Sequence, residues 1–439
     1  MEDAYIVQGG TVLKGDVTLS GAKNLALKTV IASLLFDSPV TLTNVPKIND
    51  VHELLHLIKK LGATVQQEGG TVMIDPSTLS SCKPDLLHAS KLRASFLLFA
   101  PLLHKFKECR IPNPGGCRIG MRPIDRIVSG MEALGVTTQY HSENGYYEAK
   151  LPHVPTGSYK FTKPTHTGTE LLIMIAVLGS ETITIENAAL EPEIDELIKF
   201  LNEAGGKIVR EGTSIIVRAV QTLRQTKPFH IFCDRNEAVT FATLAVATKG
   251  WVNIHGLKDE YLSKFNEMMK MAGVLVEVSD DSIKYSYQNN ILPVSIVTEP
   301  HPGFMTDWQP NWAVLMTQSS GVSTIHETVF ENRFSYVEEL LKLGAKIEYE
   351  ETSSDDEKTV YHFNSDSSET LKQKIKITGG VPLHSGAINI SDLRAGATLL
   401  IAALIADGET VVANANILER GYESIVEKIS GLGGKLKRV

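Results

Sequence analysis

The chain is poor in cysteine, and the cysteines it has are not grouped. Among 439 residues there are four, Cys82, Cys109, Cys117 and Cys233, and no C-x-x-C pair occurs. This spacing argues against a zinc knuckle and against a disulfide framework. It is typical of reduced thiols, which a cytoplasm maintains.

Long apolar runs and an excess of basic charge are also missing. The longest apolar runs, such as Ser95 to Leu103 and Leu171 to Leu178, are shorter than the roughly 20 residues that cross a bilayer. The 43 basic and 51 acidic residues leave a net charge of −8, which repels polyanions. The opening stretch M-E-D-A-Y-I-V-Q-G-G lacks the pattern of a signal peptide. We therefore expect a cytoplasmic protein without membrane insertion and without a nucleic-acid partner.

What the chain does have is an internal repeat. Six similar helix endings, from K-K-L-G-A-T-V to S-G-L-G-G-K-L, contain the glycines Gly62, Gly135, Gly205, Gly273, Gly344 and Gly433. Their spacings are 73, 70, 68, 71 and 89 residues, and the last interval contains a charged, Ser-rich stretch around Glu350 to Glu369 that predicts a solvated loop. A glycine after a helix favours the left-handed residue that closes the last turn. Each glycine precedes an alternating pattern that predicts a strand.

Each repeat also contains an apolar helix and then a short strand. The helices are hydrophobic nearly all round, which predicts burial on every side; they are Asn24 to Leu35, Leu92 to Leu103, Thr169 to Leu178, Glu237 to Thr248, Asn311 to Thr317 and Leu393 to Ala406. The strands contain Val40 to Leu42, Cys109 to Ile111, Ile183 to Ile185, Val252 to Ile254, Ser323 to Ile325 and Thr410 to Val412. We expect an α/β protein of two domains with three repeats each, in which sheets enclose buried helices. One domain covers residues 23–231, and the other combines residues 1–22 with residues 232–439.

One stretch concentrates reactive chemistry. Pro112 to Asp125 reads P-N-P-G-G-C-R-I-G-M-R-P-I-D and places a thiol among glycines and arginines. Gly115 and Gly116 permit backbone angles that side chains forbid. Arg118 and Arg122 add fixed positive charge, which lowers the pKa of a cysteine and suits phosphate or carboxylate recognition. The alternative is a surface loop with an incidental cysteine.

Charged residues also gather where the predicted helices begin. Cations at a helix start oppose the helix dipole, and a bound anion would remove that conflict. Equivalent loops of related repeats should lie at one end of each domain, so we expect an anion site in a cleft between the domains. For Asp307 and Asp392 the alternative is ordinary helix capping, and for Glu191 it is the role of a first-turn acid. His301 is expected to be a turn residue.

Seven motifs occur in the same order as in a known family. They are G-A-K-N at Gly21 to Asn24, the stretch around Cys117, E-N-A-A-L-E-P-E-I at Glu186 to Ile194, H-P-G-F-M-T-D at His301 to Asp307, E-N-R-F at Glu331 to Phe334, D-L-R-A at Asp392 to Ala395 and R-G-Y-E at Arg420 to Glu423. Together they resemble the enolpyruvyl transferase family, in the branch whose acceptor is UDP-N-acetylglucosamine. The resemblance implies an inside-out α/β barrel. It also implies transfer of the enolpyruvyl group of phosphoenolpyruvate to the sugar 3-hydroxyl with release of phosphate, the first committed step of bacterial peptidoglycan synthesis.

The resemblance further implies roles for individual residues. Cys117 matches the proton donor to the methylene carbon, which is also the residue that fosfomycin alkylates, and Asp307 matches the acid that takes the hydroxyl proton. The phosphoenolpyruvate contacts are Lys23, Asn24, Arg122, Arg394 and Arg420, of which Lys23 and Arg394 also act in catalysis. The nucleotide-sugar contacts are Asn24, Arg93, Arg122, Pro123, Ile124, Asp125, Arg126, Lys163, Pro164, Thr165, His166, Asp307 and Val329. Lys47, Glu191, Asp234 and Arg333 support them, and no metal or cofactor is implied.

Two alternative functions stay open at this point. The shikimate-pathway transferase shares the fold but has a D-K-S start and lacks the cysteine loop, whereas this chain has Ala22-Lys23-Asn24. A catalytically silent paralogue that binds a nucleotide sugar would be expected to lose Cys117, Asp307 or Arg394, and all three are present. The segment Pro164 to Glu170 departs from the S-V-G-A-T that is usual in the family.

Overall fold

The structure is a computed structural model that describes residues 3–116, 119–120, 122–353, 360–363 and 370–439. The α-helices of these residues are α1 (Lys23–Ala32), α2 (Asn49–Lys60), α3 (Leu86–Ala89), α4 (Phe99–Phe106), α5 (Asp125–Ala133), α6 (His166–Ala176), α7 (Pro192–Glu203), α8 (Arg235–Ala247), α9 (Ser263–Met271), α10 (Gln309–Thr317), α11 (Val337–Lys342), α12 (Leu393–Ile405) and α13 (Ile425–Gly431). Short 3-10 helices cover Ser33–Leu35, Arg93–Leu98, Asp259–Leu262 and Ala415–Arg420.

The strands are β1 (Ala4–Gln8), β2 (Lys14–Thr18), β3 (Val40–Thr43), β4 (Thr64–Glu68), β5 (Thr71–Asp75), β6 (Glu108–Pro112), β7 (Thr137–His141), β8 (Tyr146–Lys150), β9 (Ser158–Lys160), β10 (Thr182–Glu186), β11 (Lys207–Glu211), β12 (Ser214–Arg218), β13 (Phe229–His230), β14 (Trp251–His255), β15 (Leu275–Val278), β16 (Ser282–Ser286), β17 (Ile296–Val297), β18 (Val322–His326), β19 (Lys346–Ser353), β20 (Thr370–Thr378), β21 (Ala387–Asn389), β22 (Glu409–Ala413) and β23 (Lys435–Arg438).

The chain divides into two compact units. Unit 1 contains the described residues of 1–20, 117–122 and 233–439, and unit 2 contains residues 21–116 and 123–232. The sheets of unit 1 have the strand orders β21-β22-β1-β23, β2-β14-β16-β15 and β17-β18-β20-β19. The sheets of unit 2 have the orders β13-β3-β5-β4, β6-β8-β7 and β9-β10-β12-β11. Among the described residues each unit therefore has three sheets, one for each predicted repeat.

The six repeats share one pairing pattern. In every sheet the strand after the apolar helix and the strand after the repeat glycine flank a common middle strand, and both pairings are antiparallel. In the sixth repeat the middle strand is β1, from the start of the chain. Backbone hydrogen bonds to β22 and β23 thus tie the N-terminal segment to the C-terminal repeat.

The repeat glycines and the apolar helices have the predicted conformations. The six glycines have positive φ angles between 82° and 105°, which confirms that each closes a helix in the left-handed region. Every residue of α8 and of α10 is buried. Of the residues in α12, only Ile405 is not fully buried. A helix that is apolar on all sides keeps its side chains away from water only in such an interior position.

Two local predictions were wrong. A 3-10 helix over Arg93–Leu98 replaces the first part of the predicted helix from Leu92 to Leu103, and α4 begins only at Phe99. Pro101 has no backbone N–H and fits the first turn of a helix but not its interior. The second error concerns Glu350, because β19 continues to Ser353 instead of ending in a loop. In the described part of the chain, no helix has both the length and the apolar character that a membrane span needs.

Candidate active site

Asp307 lies between two arginines of unit 1. Nη2 of Arg333 donates to Oδ1 of Asp307 at 2.7 Å, and Nε of Arg394 donates to Oδ2 at 3.4 Å. Both arginine side chains are buried, whereas 25% of the Asp307 side chain is exposed. The N-cap of α10 is Trp308, and no side chain caps it. Asp307 is therefore not a helix cap, and its carboxylate accepts hydrogen bonds from the two guanidinium groups.

The arginines keep the Asp307 carboxylate ionised. Burial raises the pKa of Asp307, but the positive charges of Arg394 and Arg333 outweigh burial, and the net result is a lowered pKa. Arg122 is close enough to lower the pKa further. A carboxylate of this kind is anionic at neutral pH, so it can stabilise a developing positive charge or accept a proton that becomes acidic during a reaction.

Asp392 behaves differently, because it is a helix cap. Its Oδ1 accepts hydrogen bonds from the backbone N–H groups of Arg394 at 2.9 Å and Ala395 at 3.1 Å. The same oxygen lies 3.7 Å from Nη1 of Arg333. The capping alternative is thus correct for Asp392 and wrong for Asp307. The cap fixes the start of α12, which carries Arg394 in its first turn.

Some donors of Arg394 have no acceptor in the part of the chain that the structure describes. Its Nε donates to Asp307, and its Nη1 donates to the hydroxyl of Tyr422 at 3.3 Å. Among the described residues, the Nη2 group of Arg394 has no hydrogen-bond acceptor. A guanidinium has five N–H donors in a fixed plane and matches carboxylate and phosphate groups. The remaining donors of Arg394 are therefore suited to an anionic ligand.

The other predicted residues of unit 1 lie in loops and at the starts or ends of helices. The guanidinium of Arg122 lies 5.5 Å from the ring centre of Phe330. The N–H of Val329 donates to Glu327 at 2.8 Å. Asp234 caps α8 by accepting from the N–H groups of Asn236 and Glu237, and Arg420 is the last residue of a 3-10 helix.

In unit 2, Lys23 is the first residue of α1 and is buried against a carboxylate. Its ammonium nitrogen lies 2.6 Å from Oδ2 of Asp50, which is in the first turn of α2. The start of α1 has no side-chain cap. The predicted cation at a helix start is thus present, and Asp50 offsets its charge.

The remaining predicted residues of unit 2 occupy loops or first turns. Asn24 is in α1, Lys47 precedes α2, Arg93 begins a 3-10 helix, Pro123 and Ile124 precede α5, and Asp125 and Arg126 begin it. Lys163 and Pro164 precede α6, Thr165 is its N-cap, His166 is its first residue, and Glu191 is the N-cap of α7 without a side-chain capping bond.

The segment that departs from the family pattern contains a buried ionic group. Glu170 in α6 is fully buried, with one carboxylate oxygen 3.2 Å from Nζ of Lys28 in α1 and the other 3.0 Å from Nε2 of His166. Burial is the largest single influence and lowers the pKa of His166, as Lys28 also does, but Glu170 and Glu191 together outweigh both, and the net result is a raised pKa. Sequence analysis did not single out Lys28 or Glu170. The sequence feature that could have identified this pair is a charged residue inside each of two otherwise apolar helices.

Cys117, the predicted proton donor, and Arg118 lie outside the described residues. The glycines before them are in unit 2 up to Gly116, which has a φ of 109°. A Cβ atom on Gly115 would lie 1.5 Å from the carbonyl oxygen of Ser90. The backbone of this segment therefore requires glycine at both positions, as the sequence predicts.

The sequence and the fold both match proteins of one family. The family model described as EPSP synthase (3-phosphoshikimate 1-carboxyvinyltransferase) matches residues 7–429. The chain belongs to the EPSP synthase family. This membership confirms the predicted resemblance to enolpyruvyl transferases, and the chain is a transferase.

Relatives and solved structures cover the whole chain. Two relatives are named UDP-N-acetylglucosamine 1-carboxyvinyltransferase. The protein from Desulforapulum autotrophicum is 39% identical to this chain, and the match covers 100% of both chains. The protein from Desulfosudis oleivorans is 38% identical, and the match covers 100% of this chain and 99% of the relative. The enolpyruvyl transferase NikO from Streptomyces tendae superimposes with a TM-score of 0.86 at 22% identity, covering 100% of this chain and 99% of NikO. EPSP synthase from Acinetobacter baumannii superimposes with a TM-score of 0.73 at 14% identity, covering 100% of both chains. The predicted fold class is confirmed.

Proposed function

We propose that this enzyme transfers the enolpyruvyl group of phosphoenolpyruvate to the 3-hydroxyl of UDP-N-acetylglucosamine and releases phosphate, as the first committed step of peptidoglycan synthesis. The observation that carries the proposal is the ionised Asp307 beside Arg394, whose Nη2 group has no protein acceptor among the described residues. The full-length relatives support the sugar nucleotide as the acceptor, since they are named for it. The shikimate acceptor is not favoured.

Phosphoenolpyruvate needs cations, and the proposed site has several. Arg394, Arg122 and Arg420 of unit 1, with Lys23 of unit 2, are the proposed partners of its phosphate and carboxylate, and Asn24 assists them. Charge-assisted hydrogen bonds from guanidinium groups are strong and directional. They neutralise the substrate without a metal ion in this proposal.

The reaction has an addition step and an elimination step. In the addition, the sugar 3-oxygen bonds to C2 of phosphoenolpyruvate, and a proton, which we assign to Cys117, joins the methylene carbon. The ionised Asp307 stabilises the positive character at C2 and accepts the hydroxyl proton. In the elimination, the bond from C2 to the phosphate oxygen breaks, the phosphate leaves with the proton that Asp307 had accepted, and the new methyl group returns a proton to the Cys117 thiolate in this proposal.

The nucleotide sugar is assigned mainly to unit 2. We propose that its contacts are Asn24, Arg93, Pro123, Ile124, Asp125, Arg126, Lys163, Pro164, Thr165 and His166, together with Arg122, Asp307 and Val329, and that Lys47, Glu191, Asp234 and Arg333 support them. We also propose a cytoplasmic location, because Cys82, Cys109 and Cys233 are free thiols.

The test is release of phosphate from phosphoenolpyruvate, with and without UDP-N-acetylglucosamine. We expect release to require the nucleotide sugar and to fall by at least about 100-fold in Asp307→Ala, because a positioned acid or base contributes at least this much. The matched control is Asp16→Ala, which removes an exposed aspartate of the same unit that pairs with His255. Equal rates in the two variants would contradict the role of Asp307. No release with any sugar nucleotide would favour the silent paralogue.

A further inference from the structure

A line of uncharged polar groups runs between the three central helices of unit 1 and ends at Arg394. Thr398 of α12 donates to Oδ1 of Asn311 in α10 at 2.8 Å, and Nδ2 of Asn311 donates to the hydroxyl of Thr240 in α8 at 3.0 Å. The hydroxyls of Thr240 and Tyr422 are 2.8 Å apart. All four side chains are at most 3% exposed. Water does not compete for these bonds, so their directions are set by the protein.

The hydrogen-bond inventory fixes the direction of the Tyr422 proton. The hydroxyl of Thr240 has one proton, and the carbonyl oxygen of Asn236 lies 3.0 Å away as its acceptor. Its lone pairs then accept from Asn311 and from Tyr422. In the opposite arrangement Tyr422 would hold a buried proton with no acceptor among the described residues, which costs free energy. Tyr422 therefore donates to Thr240, and its oxygen presents a lone pair to Nη1 of Arg394.

Arg394 is consequently held at two edges of its plane. Asp307 accepts from Nε, and Tyr422 accepts from Nη1 while its ring centre lies 5.7 Å from the guanidinium carbon. A planar group fixed at two points has a fixed third edge, and that edge carries Nη2. Because the guanidinium group of Arg394 is ordered before a ligand arrives, less conformational entropy is lost on binding.

We infer that Tyr422 is a positioning residue, which through Thr240 and Asn311 orients Arg394 so that Nη2 faces the anionic groups of phosphoenolpyruvate. The inference rests on the proposed function, because that proposal assigns phosphoenolpyruvate to Arg394. Tyr422 does not touch the substrate in this scheme. Its effect should therefore appear in the KM for phosphoenolpyruvate and not in the KM for the nucleotide sugar.

The test measures both KM values in Tyr422→Phe, which removes only the hydroxyl. We expect the KM for phosphoenolpyruvate to rise about tenfold, as for loss of one hydrogen bond to a charged group, and the KM for UDP-N-acetylglucosamine to change less than about twofold. The matched control is Tyr285→Phe, because Tyr285 is also fully buried in unit 1 but bonds to Asn266. We expect the control to keep both KM values of the wild type.

Thr240 provides a second pair of variants. Thr240→Val removes the acceptor of the Tyr422 proton and should raise the KM for phosphoenolpyruvate, whereas Thr240→Ser keeps the hydroxyl and should restore the wild-type value. An unchanged KM in Tyr422→Phe, or an equal rise in both KM values, would overturn the inference. If Tyr422→Phe does not fold, the KM for phosphoenolpyruvate in Thr240→Val and Thr240→Ser tests the same inference.

A binding measurement separates this inference from the proposed function. Calorimetric titration with phosphoenolpyruvate should show weaker binding to Tyr422→Phe than to the wild type or to Tyr285→Phe. Absence of turnover in a wild type that shows this binding pattern would refute the proposed function alone. Normal turnover with identical binding by all three proteins would refute the positioning role alone. A wild type that neither turns over nor binds phosphoenolpyruvate would refute both.

Discussion

The two units repeat the same sheet pattern but use different polar groups to connect their buried helices, α8, α10 and α12 in unit 1 and α1 and α6 in unit 2. In unit 1, uncharged groups such as Thr240 and Asn311 connect the central helices by hydrogen bonds. In unit 2, the ammonium of Lys28 and the imidazole of His166 both pair with the fully buried carboxylate of Glu170. The repeat therefore dictates backbone pairing without dictating the chemistry of the interior.

This difference has energetic consequences. A neutral hydrogen bond contributes only about 1 kcal/mol, and its strength does not depend on pH. Removing one member of a buried ion pair leaves an uncompensated charge and costs about 3–5 kcal/mol. We therefore expect the contact between α1 and α6 of unit 2 to be more sensitive to loss of one partner and to changes in pH than the contacts among α8, α10 and α12 of unit 1.

The largest effect is expected for Glu170→Gln. This change keeps the shape of the side chain but leaves Lys28 as a buried cation without its anion, so the free energy of unfolding should fall by about 3–5 kcal/mol. Urea unfolding at pH 7 measures it. The double variant with Lys28→Met should recover most of the loss. A double variant as unstable as Glu170→Gln would mean that the charges are not coupled.

A second effect concerns His104 of α4, whose Nε2 lies 2.9 Å from the carbonyl oxygen of Ile175. Burial lowers the pKa of His104 to about 4, so its neutral form is stable in the folded protein. Below its unfolded pKa of about 6.5 the unfolded chain takes up the proton first. The contribution of neutral His104 to the free energy of unfolding is thus fully present above about pH 6.5. It is lost as the pH falls towards about 4, and the loss reaches up to about 3 kcal/mol.

The measurement is the free energy of unfolding of wild type and His104→Gln between pH 4 and 7. The variant should depend less on pH than the wild type. His153→Gln, at an exposed histidine of the same unit, should keep the wild-type pH dependence. Parallel curves for wild type and His104→Gln would contradict the burial argument.

A smaller effect is expected for Thr398→Val in unit 1. Valine fills the space of threonine but cannot donate to Asn311 at the 2.8 Å contact, so the free energy of unfolding should fall by about 1 kcal/mol. The loss should be the same at pH 6 and pH 8, because no member of this contact is ionisable. A loss that differs between the two pH values would contradict the contrast between these uncharged contacts and the ionic contact of α1 with α6.

The smallest expected effect is at His166. Burial, the largest single influence, lowers its pKa, as Lys28 does, but Glu170 and Glu191 together outweigh both, so the pKa is raised in the folded protein. The stabilisation is therefore fully present below the unfolded pKa and is lost as the pH rises through the folded pKa. His166→Gln should destabilise the protein more at pH 6 than at pH 9 in thermal unfolding. The reverse order would show that burial dominates.

Much of the fold could be predicted from local patterns. Apolar positions all round a helix, as in Leu393 to Ala406, allow only a buried position, and a glycine such as Gly205 after an amphipathic helix closes that helix in the left-handed region. These rules act between residues close in sequence. They failed at Leu92 to Leu103, where Pro101 changes the helix start, and at Glu350, where pairing with β20 extends the strand.

The candidate site was predictable as a set of residue types but not as a set of pairs. The motifs drew attention to Asp307 and Arg394, yet capping explained Asp307 and Asp392 equally well until the structure separated them. The hydrogen bond of Tyr422 with Thr240 and the ion pair of Glu170 with Lys28 were not predicted, because the partners lie far apart in the sequence.

The sequence by itself determined the number of repeats, the buried helices, the glycine-closed helix ends and the types of charged residue near the site. These depend on periodicity and on backbone preferences, which act over a few residues. Only the tertiary structure decided which carboxylate pairs with which cation, where the uncharged line through unit 1 ends, and which donors of Arg394 have no acceptor among the described residues. Such pairings depend on distances between residues that are remote in the chain, and hydrogen bonds and buried charges change steeply with those distances.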